Sequence, residues 1–313
     1  MKEKIKVAVT GANGFIGFEL CNFLEEKGYL VRRIQRYKRE GLFQIDTINS
    51  KTNWALALDN IDIVVHCASV VHDQNQRDFS YYNELNIEGT CNLFRQSIKL
   101  GVKKFIFLSS IKVNGEYTNN NEKFSSKSKP NPHGNYSISK YQTEILLKEI
   151  SNSSNIELVI IRPPLVYGPR VKANFNSLMK LTSRGIPLPF KDLKKERSFI
   201  FLGNLVDLIA NCITNQKTSN KIILPSDGNT IKTCTLIDKL YFAFGYGSRL
   251  FYFPSKVLNL IFYFLGKRDQ FSRLNNSLVI DSDEVEKQIN WTPPYSFEDG
   301  IKRTANWYKE NVF

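Results

Sequence analysis

Apolar runs of five to seven residues recur through the first half of the chain, at Ile5–Thr10, Leu30–Ile34, Ile61–Cys67, Lys104–Ser109 and Glu157–Arg162. Between several of them the apolar positions change to helical spacing, over Phe15–Lys27, Tyr82–Leu100 and Tyr136–Ser151. Runs rich in Val and Ile are the pattern of strands covered on both faces, and the helices between them supply the crossovers. The pattern therefore predicts an α/β fold with a doubly wound parallel sheet. After Arg162–Pro169 the alternation is lost, and helices, loops and short strands follow. We read residues 1–168 as one domain and 169–313 as a smaller C-terminal lobe, some of whose elements return to the first. The binding cleft is expected between them. The polar stretch Thr118–Asn135 reads as a surface loop leading into a helix.

Ser248–Arg268 stands apart, with aromatic and leucine positions between basic ends. After Pro254 its apolar part is too short for a spanning helix, which needs ~20 largely apolar residues. The plain reading is a buried helix of the C-terminal lobe. The other is an interfacial helix, with aromatics at the headgroup boundary and Lys256, Lys267 and Arg268 facing anionic lipid.

Where the first strand hands over to the first helix, the chain reads VAVTGANGFIG, with glycines at 11, 14 and 17. Glycine there permits a tight turn and close approach of backbone to a pyrophosphate, which the helix N-terminus favours through its free N–H groups and dipole. The context of strand, turn and helix gives the motif its weight.

The spacing is GxxGxxG after Thr10, and TGANGFIG resembles the short-chain dehydrogenase/reductases, in particular the extended branch that works on nucleotide sugars. Other signatures of that family follow in order: DIVVHCAS (Asp62–Ser69), LNIEGT (Leu85–Thr90), FIFLSSIKVNG (Phe105–Gly115), YSISK (Tyr136–Lys140) and IRPPLVYGP (Ile161–Pro169). The resemblance spans nearly the whole chain and implies a Rossmann-like fold with a substrate-binding C-terminal lobe. It further implies a cofactor site at Gly11, Gly14, Phe15, Ile16 and Gly17, with Ala68 beside the adenosine, Asp46 toward the adenine amino group and Pro163 beside the nicotinamide.

Tyr136 and Lys140 stand four apart on one helix face. A phenol with a pKa near ~10 is a poor base at neutral pH, and a nearby ammonium would lower that value. Tyr136 could then exchange a proton with a sugar hydroxyl or ketone. By the resemblance, Lys140 also holds the nicotinamide ribose and Ser110 donates to the reacting oxygen, with Ser109 as the other register. His66 and His72 read as structural.

The second strand ends in Gln35 and Arg36 where NAD-using relatives carry an acid for the ribose hydroxyl. An arginine can bind a 2′-phosphate that a carboxylate would repel, so NADP(H) is expected ahead of NAD(H). The other reading leaves Arg32, Arg33, Arg36 and Arg39 as solvated surface. A UDP-sugar brings about two negative charges, so a basic group is required beside it. The resemblance assigns that duty to Arg197, with Arg273 a further candidate, and assigns Asn174 to the diphosphate as well.

Composition narrows the field slightly. Five cysteines without a CxxC pair, and three scattered histidines, argue against a disulfide framework or zinc site and suit a reducing cytoplasm. The net charge of +13 suits a solvated basic surface, an anionic substrate or the inner face of an anionic membrane. No recognition motif points to nucleic acid.

Members of the resembling branch transfer a hydride at a sugar carbon, usually C4. Gln35 and Arg36 favour a reductase that exchanges NADPH each turn. Asn114, where many 4-epimerases carry an aromatic, points the same way. The run FIFLSSIKVNGE most resembles enzymes of surface-polysaccharide clusters that reduce a UDP-4-keto-6-deoxy-N-acetylhexosamine. UDP-glucose 4-epimerase-like proteins share it, so epimerisation is the alternative. A non-catalytic NADPH sensor and an enzyme for a lipid-linked sugar are the readings from other classes. The resemblance also implies a homodimer, paired through helices such as Tyr82–Leu100 and Tyr136–Ser151.

Overall fold

Val7, Ala8 and Val9 lose all contact with solvent as the central strand takes a parallel neighbour on each side. The structure is a computed structural model and describes residues 4–36, 42–70, 78–119 and 122–312. Arg39 and His72 lie outside these. Six strands occupy the first half: β1 (Lys6–Thr10), β2 (Leu30–Gln35), β3 (Phe43–Gln44), β4 (Ile63–His66), β5 (Lys104–Leu108) and β6 (Glu157–Ile161). Five short ones follow: β7 (Leu165–Tyr167), β8 (Glu196–Arg197), β9 (Phe199–Phe201), β10 (Ile222–Ile223) and β11 (Ile231–Lys232). The main sheet is parallel throughout, in the order β10-β6-β5-β4-β1-β2-β3. The fold is thus the parallel α/β arrangement the apolar pattern predicts, and it is Rossmann-like as the resemblance implies.

Side chains alternate across the sheet, and both faces are dry. Val7, Val9, Val65, Ile106 and Val159 join one cluster, which the helices Phe15–Glu26 and Leu202–Thr214 cover. Ala8, Val64, Phe105, Phe107 and Leu158 join the other, with Trp54, Phe94 and Leu147 over them. A period of two with apolar residues in both phases is what a sheet sandwiched by helices requires. A third cluster, rich in aromatics, gathers Tyr167, Phe175, Phe199, Phe201 and Phe297 among the C-terminal helices.

The predicted helix Tyr82–Leu100 starts earlier and is not uniform. It runs from Phe79 to Lys99 with a π-helical turn at Asn83–Glu88. Such turns are rare and often accompany functional positions. The carboxyl ends of β1 and β4 lie where the strand order reverses, which is where open parallel sheets bind ligands.

Candidate active site

The turn after β1 is built around its glycines. Gly11 holds φ at +69°, and a Cβ there would lie 2.9 Å from the backbone nitrogen of Ala68. A Cβ on Gly17 would run into the carbonyl oxygen of Gly11. The Gly14 N–H closes the turn on that same oxygen at 2.8 Å, and Gly14 caps the helix that begins at Phe15. The N–H groups of Phe15 and Ile16 thus belong to the first turn, where no intrahelical acceptor exists. Beside this turn is a cavity of about 240 Å³ whose walls include Gly11, Gly14, Gln35, Arg36, Ala68 and Asn86. A wall without Cβ atoms beside open N–H donors fits a pyrophosphate.

The three described arginines at the second strand, Arg32, Arg33 and Arg36, are not equivalent. Arg32 donates to the carbonyls of Leu56, Ala57 and Asp59, and Arg33 pairs with Glu25 at 2.6 Å. Those two serve the fold, not a solvated surface. Arg36 is exposed at the cavity rim. Asp46 is exposed and accepts from Gln44 at 2.9 Å, while its neighbours Ile45 and Ile48 line the cavity.

Ser110, Tyr136 and Lys140 come together at the end of β5. Ser110 leaves the strand in extended conformation, with Tyr136 hydrogen-bonded to its side chain. Burial pushes the Tyr136 phenol up to about 12, against the Ser110 hydrogen bond that favours the phenolate. Burial thus outweighs the lowering expected from an adjacent ammonium. The Lys140 ammonium, four residues on, donates to the Leu108 carbonyl at 2.8 Å and lies 4.5 Å from the Phe107 ring centre. Its own burial draws it down to about 7. The arrangement sets a phenol beside a serine hydroxyl, and that phenol can exchange a proton with an oxygen placed between them.

The adjacent serines divide their work. Ser109 is buried and donates to Glu144 Oε1 at 2.5 Å. Glu144 also binds Arg162 through two hydrogen bonds of 3.0 and 2.5 Å, with both side chains almost wholly buried. Arg162 continues to Asn114 Oδ1 at 2.9 Å, and Asn114 donates to the Ser125 carbonyl at 3.2 Å. Asn114 therefore serves this buried network, which fixes the end of β5 from below. Pro163 is buried behind the same strand end and accepts from the Ile111 N–H at 3.0 Å. His66 is enclosed between Thr10 and Thr90 at 2.7 and 2.9 Å, and burial draws it down to about 3. It is neutral and structural.

Two features escape the sequence reading. Asn86, in the π-helical turn, accepts from the Val70 N–H at 2.9 Å and donates to Ser139 at 3.0 Å, so it links the cavity wall to the helix carrying Tyr136. The signal was present in LNIEGT, but nothing local shows its reach. The second is Lys112, in the turn just after Ser110. Its N–H donates to Ser110 Oγ at 3.3 Å, and its ammonium pairs with Glu116 at 3.3 Å. Burial and the positive charges of Arg273 and Arg197 hold that ammonium below its usual range. Arg197 is itself drawn down to about 10 by burial and by Arg273, and it donates to the Asn276 carbonyl at 2.8 Å. The positive charges of Lys112, Arg197 and Arg273 thus act on one another, with Glu116 beside Lys112, and such a basic group suits an anion.

Asn174 is half-buried in the first turn of the helix Ala173–Thr182. Ala173 before it holds φ at +56°, a conformation that costs a residue with a side chain ~1–3 kcal/mol and clusters at binding sites.

Comparisons with known proteins place the whole chain in one family. The model of the NAD dependent epimerase/dehydratase family matches residues 7–224. The UDP-glucose 4-epimerase of Vibrio cholerae is 39% identical over 308 residues, covering 96% of this chain and 94% of that protein. The crystal structure of a UDP-glucose 4-epimerase from Thermotoga maritima with UDP-glucose superposes with a TM-score of 0.79 at 22% identity, over 99% of this chain and 100% of that one. A UDP-glucuronic acid 4-epimerase from Bacillus cereus in complex with NAD gives 0.78 at 22% identity, over 98% and 99%. At that identity the structures speak to fold alone, whereas the family match and the Vibrio relative reach further. This chain is a member of the NAD dependent epimerase/dehydratase family, within the extended short-chain dehydrogenase/reductases.

Proposed function

We propose that the protein inverts the configuration at C4 of a UDP-hexose, using a tightly held nicotinamide cofactor that accepts a hydride and returns it to the opposite face. The observation that carries this reading is the near full-length identity of 39% with a UDP-glucose 4-epimerase. Tyr136 would take the proton of the C4 hydroxyl as the hydride leaves and give it back on return, with Ser110 bonded to the same oxygen, and Lys140 would hold the cofactor. Gly11, Gly14, Phe15, Ile16 and Gly17 hold the pyrophosphate, with Ala68 and Asp46 toward the adenosine and Pro163 toward the nicotinamide. Arg197, Arg273 and Lys112 neutralise the substrate diphosphate, with Asn174 beside it. A homodimer pairing through the helices Gly89–Lys99 and Gly134–Ser151 completes the reading. Incubation with UDP-glucose or UDP-N-acetylglucosamine and catalytic NAD+, followed by proton NMR, is expected to yield the C4 epimer. Failure with every UDP-hexose offered overturns the proposal.

Arg36 favours a second reading, reduction of a UDP-4-keto sugar with NADPH for surface-polysaccharide synthesis. A guanidinium at the cavity rim suits a 2′-phosphate. Under that reading, Arg36→Ala weakens NADPH about tenfold and leaves NADH unchanged, as a charge-assisted contact in a partly solvated position implies. Fluorescence titration of the two cofactors measures it. Equal loss for both would remove Arg36 from cofactor choice.

A further inference from the structure

The segment expected to be a buried helix is a surface helix. Ser255–Phe264 forms ten residues of helix, of which only Leu258 is buried. The inward stripe is Ser255, Leu258 and Phe262, spaced as one helix face, with Phe262 packed on Phe271 at 5.1 Å between ring centres. The rest of the helix turns outward, and apart from Lys256 and Asn259 what it shows to solvent is apolar. Phe264 is 77% exposed, Tyr252 65% and Leu265 62%, with Tyr263 and Leu260 above half. Of the seventeen large apolar side chains exposed among the described residues, eight fall between positions 251 and 265. Scattered exposure is ordinary, whereas a contiguous patch marks a contact surface.

The charge around the patch selects the contact. Residues 246–268 contain Arg249, Lys256, Lys267 and Arg268 and no acidic residue; the acids beside the segment are Asp269, next in sequence, Asp192, which accepts from the Ser255 N–H at 3.4 Å, and Asp238, which accepts from Ser248 at 2.6 Å. Arg268 lies 5.7 Å from the ring centre of Tyr263, so cation and aromatic share the rim. Phenyl and phenol rings with leucines between cations match the boundary between acyl chains and anionic headgroups. No helix among the described residues is long and apolar enough to cross a membrane, so such a contact is peripheral. We propose that this face docks on an anionic lipid surface, with the side chains of Leu260, Phe264 and Leu265 in the apolar boundary and Lys256, Lys267 and Arg268 on the headgroups. The helix Arg268–Asn275, on which the docking helix packs, carries Arg273.

The test is flotation of the full chain with phosphatidylcholine vesicles, with and without phosphatidylglycerol. The expected result is flotation with the anionic vesicles only, weakened by added salt. Phe264→Glu with Leu265→Glu should abolish it. Lys267→Ala with Arg268→Ala should weaken it roughly tenfold or more. Unchanged cofactor binding in both pairs, read by fluorescence titration, shows that they remain folded. A protein that stays in solution with both vesicles overturns the proposal. So does a mass by light scattering that doubles in the parent and not in the glutamate pair, because the face would then cover a second copy.

Discussion

Replacing Tyr136 with phenylalanine should cost ~10²–10⁴ in turnover, the range expected when a general acid or base is removed. The substitution deletes one hydroxyl and keeps the ring, so the packing of the helix Gly134–Ser151 is retained. Lys140 keeps its hydrogen bond to the Leu108 carbonyl, and the glycine turn is untouched. Cofactor affinity should therefore stay within about twofold, since Tyr136 is not on the pyrophosphate side. Ser110 alone can still orient the sugar oxygen but has no partner to take or give its proton. Stopped turnover with unchanged cofactor titration is the expected pair of results. Near-normal turnover would remove Tyr136 from the proton relay.

The second large effect concerns stability. Glu144→Ala leaves the Arg162 guanidinium buried at 2% exposure with Asn114 as its remaining side-chain partner. Breaking a buried ion pair from one side costs ~3–5 kcal/mol, because the surviving charge stays out of water. For a chain of this size that is a fall in melting temperature on the order of 5–10 °C. Ser109 loses its acceptor at the same time, so the end of β5 loosens and Ser110 is displaced with it. Replacing both members, Glu144→Leu with Arg162→Met, should cost clearly less than Glu144→Ala alone, since no unpaired charge remains. Thermal unfolding of the three proteins decides this. Equal destabilisation by the single and double changes would mean that packing volume, not charge pairing, holds the strand end.

The strands and the cofactor turn were legible because their signals are local. Val/Ile runs, glycines three apart and a tyrosine four residues before a lysine each express one element's own geometry. β3 and β10 were not legible, since two residues carry no periodicity. The register of Ser109 and Ser110 needed the tertiary fold. Neighbours at a strand end point in opposite directions, and only the position of Glu144 on one side and Tyr136 on the other separates their roles. Lys112 was invisible for a similar reason. Its cationic neighbours lie in β8 and in a helix far along the chain, and no spacing rule connects them. The Tyr136–Lys140 spacing correctly placed both groups on one face, yet the ammonium bends to a strand carbonyl, which a helical wheel does not show. The outer helix misled for the opposite reason. Its composition is that of a core, but the fold supplies a covering surface for only one stripe.

The most direct test of C4 inversion follows the fate of one hydrogen. UDP-glucose carrying deuterium at C4 is incubated with the protein and substoichiometric NAD+, and the product is read by NMR. The expected product is the inverted sugar with deuterium still at C4, because the hydride that leaves C4 is the one returned to it. A product with protium at C4, or turnover that occurs only with a 4-keto sugar and consumes NADPH one for one, would contradict it.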